Sequence, residues 1–233
     1  MKKLLRGILE FRRNLTDDAR RRFETLALGQ KPDALFIACS DSRVVPNLFA
    51  STEPGDLFVM RNVGNLVAPL PAGSAGSDGA APAAGDPSHP PISAVGAAVE
   101  YAGVVLQVQD IIVCGHSDCG AMRALLQTVG GPALPQVQSW LALAAPALAR
   151  QSAGERLDPA LSPQNNLAQL NVLVQLEHLL TYPFVRERVH AGHLRLHGWY
   201  FDIGRAEVRV YDADRTGFVP LDADEVDRIL ARA

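Results

Sequence analysis

The stretch Ala34-Leu35-Phe36-Ile37-Ala38, followed without transition by Cys39-Ser40-Asp41-Ser42-Arg43, decides how the chain is read. Five apolar residues with no alternation predict a buried strand, and the abrupt polar run predicts a loop leaving its carboxyl end. Asp110 to Cys114 (DIIVC) repeats the pattern and runs into Gly115-His116-Ser117-Asp118-Cys119. Leu57-Phe58-Val59-Met60 is a further apolar run, entered through the turn signal Glu53-Pro54-Gly55-Asp56 and left through Arg61-Asn62. A helical pattern from Ile92 to Leu106 separates it from the DIIVC run. Strands alternating with helices need crossover connections, which predicts an α/β fold with a mainly parallel central sheet flanked by helices.

Outward from this centre, Leu4, Leu5, Ile8 and Leu9 recur at helical spacing and predict an amphipathic N-terminal helix. Arg6, Glu10, Arg12 and Arg13 interrupt the uncharged core that a signal peptide requires. After Cys119 a helical pattern continues to Leu126, and further helices are expected over 134–150, 163–180 and 183–190. Leu194 to Ile203 and Glu207 to Tyr211, joined near Gly204, predict an antiparallel hairpin closing one sheet edge, before a last helix from about Ala223. Residues 69–91, PLPAGSAGSDGAAPAAGDPSHPP, offer almost nothing to bury and predict a flexible surface loop within a single domain spanning 1–233.

At 233 residues, 48% hydrophobic and 20% charged, the composition is that of an ordinary globular chain that needs no disulfide to fold. A formal net charge of −3 argues against a broad nucleic-acid-binding face, and no apolar run is long enough to span a bilayer. Cys39, Cys114 and Cys119 are the only cysteines, an odd number without a leader. That usage predicts a reducing, cytoplasmic setting, where cysteines serve metals or catalysis more often than disulfides.

Cys39 and the His116-x-x-Cys119 pair each follow a predicted strand, at the sheet edge where open parallel sheets bind ligands. Two thiolates and an imidazole suit zinc, and three protein ligands leave one position open, as catalytic sites do. Asp41 and Arg43 share the turn with Cys39, so Asp41 could accept a hydrogen bond from an attacking hydroxide while Arg43 holds it ionised. Taken alone, a cysteine after a strand reads first as a buried small hydrophobe, and for Asp41 and Arg43 a loop-capping aspartate with a surface arginine stands level with the functional reading. The H-x-E and P-C-x-x-C signatures of zinc deaminases are absent.

CSDSR followed by VVPNLF, then EPGDLFVMRNVGNLV, VEYA and CGHSDCGAM, resembles the β-carbonic anhydrases. The likeness runs in order through HGWYFDI and FVPL near the end, and leans toward the cyanate-linked bacterial and plant-like branch. The resemblance implies reversible hydration of carbon dioxide to bicarbonate and a proton by a zinc-bound hydroxide, with one zinc per chain on Cys39, His116 and Cys119. It implies Asp41 and Arg43 as the catalytic pair and Gln30, Phe58, Val63, Tyr101 and Gly120 as the substrate pocket, some lent by a neighbouring subunit. It also implies a homodimer or dimer-based assembly in which the N-terminal helix packs, with no nucleic-acid or membrane partner. Two alternatives stand beside it: a structural zinc protein closed by Cys114 or Asp41, and a hydrolase of an analogue such as carbon disulfide. The segment 69–91 is longer than the family pattern.

The family also has two resting arrangements, open and closed by the aspartate of CSDSR. The closing branch typically carries Trp three residues before the first ligand cysteine, where this chain has Phe36. Gln30, Ala38 and Tyr101 match the open arrangement, so Asp41 is expected to stay on Arg43. Cys114 is expected to be a buried strand residue, and Trp140 and Trp199 core or interface aromatics. His89, His178, His190, His193 and His197 have no cysteine or carboxylate grouped around them in sequence and are expected to be structural or solvated.

Overall fold

The computed structural model describes residues 1–71, 93–127 and 134–231, so nearly all of the 69–91 segment, His89 included, lies outside the described residues. Its sheet holds six strands in the order β2-β1-β3-β4-β5-β6. These are β1 Ala34–Cys39, β2 Leu57–Asn62, β3 Asp110–His116, β4 Arg195–Asp202, β5 Glu207–Asp212 and β6 Gly217–Pro220. β1 lies between β2 and β3 and is parallel to both, β3 is parallel to β4, and β5 and β6 turn antiparallel at the far edge. The expected hairpin is therefore extended by a strand of four residues, too short to show a period of its own.

Every residue of β1 is buried, which is why its sequence shows no alternation. Removing side chains the size of Leu35, Phe36 and Ile37 wholly from water stabilises the fold by about 1.5–3 kcal/mol each. One face of the sheet packs on the long helix α8 (Pro163–Leu179). There Gly115 of β3 lies so close that an added Cβ would sit 2.8 Å from Val172 Cγ2 and 3.1 Å from the Ala168 carbonyl oxygen. The other face carries Phe36, Ile112, Cys114 and Phe201, with Phe49 of α3 (Pro46–Phe49) stacked on Phe201 at 4.6 Å between ring centres.

The remaining helices are α1 Lys2–Asn14, α2 Asp17–Leu26, α4 Ala94–Glu100, α5 Gly120–Leu126, α6 Pro135–Leu141, α7 Ala145–Ser152, α9 Pro183–His190 and α10 Ala223–Leu230. Among the described residues, neither α1 nor α2 contributes a buried one. The helical pattern ending at Leu106 is carried by α4 and then by one wider turn, in which the Leu106 N–H reaches back five residues to the Tyr101 carbonyl. The helix expected over 134–150 is broken into α6, a tight turn at 142–144 and α7. Pro146 explains the break, because it lacks an N–H and its ring would strike the carbonyl one turn earlier. No helix among the described residues is long and apolar enough to cross a membrane.

Candidate metal centre

Cys39 ends β1, His116 ends β3, and Cys119 sits immediately before α5. Because β1 and β3 are parallel neighbours, these ends reach one sheet edge together. The two sulfurs and an imidazole nitrogen all lie within 4.8 Å of one another, and all three residues are buried. His116 Nδ1 is 2.8 Å from the Ser117 carbonyl oxygen, which can only accept, so Nδ1 carries the hydrogen. Nε2 is left with its lone pair and, among the described residues, is buried with no hydrogen-bond partner.

The electrostatics of the sulfurs point the same way. A hydrogen bond from Cys119, opposed by burial and helped by His116 and the Gly64 N–H, holds the Cys39 thiol well below its ordinary value. That same bond, together with burial, pushes Cys119 up. Two buried thiolates side by side repel, so without a cation the pair keeps one proton between them. A divalent ion would relieve that repulsion and accept the orphaned imidazole lone pair. Two thiolates and one imidazole fit zinc, with the fourth position free.

Asp41 faces this site without joining it. Arg43 Nε is 2.9 Å from Oδ1, Arg43 Nη2 is 2.8 Å from Oδ2, and the Arg43 backbone N–H adds a third bond to Oδ1 at 3.0 Å. The side-chain bonds from Arg43, opposed by burial, hold the Asp41 carboxyl far below the usual carboxylate range. Asp41 Oδ2 lies 3.9 Å from His116 Nε2. Arg61, which sequence reasoning passed over, clamps the turn from beneath: its guanidinium donates to the Cys39 carbonyl at 2.9 and 3.1 Å and to the Asp41 carbonyl at 2.6 Å. Cys114 belongs to the opposite face of the sheet with Phe36 and Phe201, and burial raises its thiol.

The expected pocket residues divide into two groups. Val63 and Gly120 adjoin the centre, next to Gly64 and Cys119 respectively. Phe58 and Tyr101 meet each other at 5.8 Å between ring centres, but Phe58 is paired with Leu35, four positions before Cys39 on β1. At 3.3 Å per residue that is about 13 Å along the sheet. Gln30 lines a surface hollow with Pro54, Gly55 and Asp56, where β2 begins opposite Ala34, at the end of β1 away from Cys39 and so away from its own chain's metal centre.

Two side chains have partners that their sequence reading did not show. His197 Nε2 is 2.7 Å from Asp110 Oδ1, so a carboxylate does accompany it, brought there by the β3–β4 register. Trp140 packs against the core as expected, and its Nε1–H also donates to the Val63 carbonyl at 2.7 Å.

A family model described as carbonic anhydrase matches residues 34–208, which contain the whole of this centre. The chain belongs to the β-carbonic anhydrases. It is thereby a zinc-dependent lyase of reversible carbon dioxide hydration. The carbonic anhydrase of Pseudomonas aeruginosa is 42% identical, over 95% of this chain and 92% of its own length. Carbonic anhydrase 1 of Escherichia coli O157:H7 is 39% identical, over 96% of this chain and 94% of its own. Among solved β-carbonic anhydrases, CcaA superposes with a TM-score of 0.75 at 38% identity, covering 94% of this chain and 98% of that one. The Coccomyxa enzyme in complex with acetazolamide gives 0.68 at 26% identity, covering 99% and 96%.

Proposed function

We propose that Cys39, His116 and Cys119 hold the zinc at which this enzyme hydrates carbon dioxide, and that Asp41 and Arg43 orient the reaction. The observation that carries the assignment is His116 Nε2, buried beside two sulfurs with no hydrogen-bond partner among the described residues. Zinc, when bound, supplies the Lewis acidity that lets water act as a nucleophile near neutral pH. Asp41, kept ionised by Arg43, accepts a hydrogen bond from the attacking water and turns its remaining lone pair toward the carbon. Val63 gives the pocket an apolar wall that suits carbon dioxide, and the Gly120 backbone supports the product oxygens. Phe36, Ala38 and the Asp41–Arg43 pairing favour the branch whose fourth position stays open to solvent.

Gln30, Phe58 and Tyr101 of the partner subunit complete the pocket in this reading, within a homodimer. In support, Tyr101, Val104 and Val105 are 44%, 56% and 61% exposed and fall at helical spacing, an apolar strip that the described residues of the same chain leave uncovered. The apolar residues of α1, Leu4, Leu5, Ile8 and Leu9, are likewise more than half exposed and call for a second copy. Three unpaired, buried cysteines agree with a cytoplasmic setting.

Stopped-flow carbon dioxide hydration on metal-analysed protein tests the activity; zinc-loaded protein without turnover would leave a structural metal site. Mixing Cys39→Ser chains with Gln30→Ala chains tests the shared pocket. A cross-subunit Gln30 regenerates one unmodified site in each mixed dimer, so activity rises above the mean of the parents. Activity that never exceeds that mean would place Gln30 within its own subunit.

A further inference from the structure

We infer that Trp140 is a positioning residue for the metal centre, acting on Cys39 through a single peptide unit. The inference rests on the assignment of Cys39 as a zinc ligand. The Val63–Gly64 peptide presents two groups in opposite directions. Its N–H, from Gly64, points at Cys39 Sγ at 3.4 Å, and its C=O, from Val63, accepts the Trp140 indole N–H at 2.7 Å. The chain of bonds is therefore indole N–H to carbonyl, then across one planar amide, then N–H to sulfur. A donor on the carbonyl polarises the amide and strengthens what its N–H gives to the sulfur.

The surrounding turn is built to hold that one peptide. Gly64 and Asn65 both adopt positive φ, +84° and +49°, which turns the chain sharply enough to aim the Gly64 N–H at the sulfur. A Cβ at Gly64 would meet Ala121 Cβ at 3.1 Å. Asn62 closes the turn from inside, accepting from the Leu66 N–H at 2.7 Å and donating to the Leu66 carbonyl at 2.9 Å. From α8, Asn171 donates to the Gly64 carbonyl at 3.1 Å and is itself held by Gln175 at 2.9 Å, while Gln175 accepts the Val67 N–H at 2.8 Å. Asn171 and Gln175 thus fix the next peptide and the exit of the turn. Among the described residues, Trp140 is the side chain that donates to the peptide touching Cys39.

A hydrogen bond to a thiolate draws off part of the charge it would donate to a metal, so losing the Trp140 bond leaves Cys39 a stronger electron donor. Cobalt(II) substituted for zinc reads this directly through its thiolate-to-cobalt charge-transfer band. In Trp140→Phe the band should move to longer wavelength while metal stoichiometry and far-ultraviolet circular dichroism match the wild type. Turnover of the zinc form should fall about tenfold, as losses of hydrogen bonds to metal ligands do. Benzothienylalanine at position 140 keeps the bicyclic shape and replaces only the N–H by sulfur, so it decides the matter if Trp140→Phe misfolds. A band at the wild-type wavelength in whichever of these variants folds would overturn the inference and leave Trp140 a packing residue. Wild-type protein that takes up cobalt with no thiolate band would instead overturn the ligand assignment itself.

Discussion

Asp41→Asn changes the proposed catalytic pair by one atom. Asparagine can keep its Oδ1 where Arg43 Nε and the Arg43 backbone N–H now donate, at 2.9 and 3.0 Å. Its Nδ2 must then occupy the place of Oδ2, 2.8 Å from Arg43 Nη2, where two donors face each other. One charge-assisted bond is lost, and with it the acceptor that Oδ2 offers to the attacking water. Hydrogen bonds to charged groups contribute about 1.5–3 kcal/mol. If that free energy is spent on orienting water in the transition state, kcat/KM falls about 10- to 160-fold, since about 1.4 kcal/mol is a factor of ten. Zinc content should not change, because Asp41 is absent from the ligand cluster. Stopped-flow hydration and metal analysis on the same preparation measure both quantities. A variant with full zinc and kcat/KM within about threefold of wild type, less than 1 kcal/mol, would refute an orienting role. A loss of activity in step with a loss of zinc would refute it too, by making Asp41 a metal-retaining residue.

Cys39→Ser and Cys119→Ser should each lose most bound zinc, whereas Cys114→Ala should retain it, because Cys114 faces the opposite side of the sheet; zinc loss from Cys114→Ala would restore the closed structural site. Gly115→Ala drives a methyl against Val172 and the Ala168 carbonyl, and the backbone oxygen cannot rotate away. Overpacking of that kind costs about 1–3 kcal/mol, which lowers Tm by about 2 to 12 °C; an unchanged Tm would show that α8 can shift freely. Burial opposes ionisation of Asp110, yet its bonds from Arg195 and His197 hold the carboxyl far below the usual range. A depressed carboxyl adds stability that is present above its unfolded value of about 3.9 and is lost as pH falls toward the folded one. Asp110→Asn should therefore be less stable than wild type at pH ~6, and the gap in Tm should close as pH drops below about 4; parallel curves would show that the Asp110 cluster does not contribute.

Local patterns and side-chain chemistry were enough for much of this protein. A strand buried on both faces must be apolar without alternation, so 34–38 and 110–114 announced themselves, and β1 and β3 follow with ends extended by one and two residues. Thiolates and an imidazole suit zinc wherever they stand, so Cys39, His116 and Cys119 were candidates on chemistry alone. Placing them within 4.8 Å of one another is another matter, because it depends on β1 and β3 being parallel neighbours. Sheet order is set by packing across the whole chain and leaves no period in any window of residues. For the same reason the His197–Asp110 contact was invisible until the register placed residues 87 positions apart side by side. Tertiary structure also separated Gln30, Phe58 and Tyr101 from their own metal centre and brought Trp140 to a carbonyl 77 positions away. A hydrogen bond from one side chain to one distant backbone oxygen carries no sequence signature, since it is decided by where two unrelated segments come to rest.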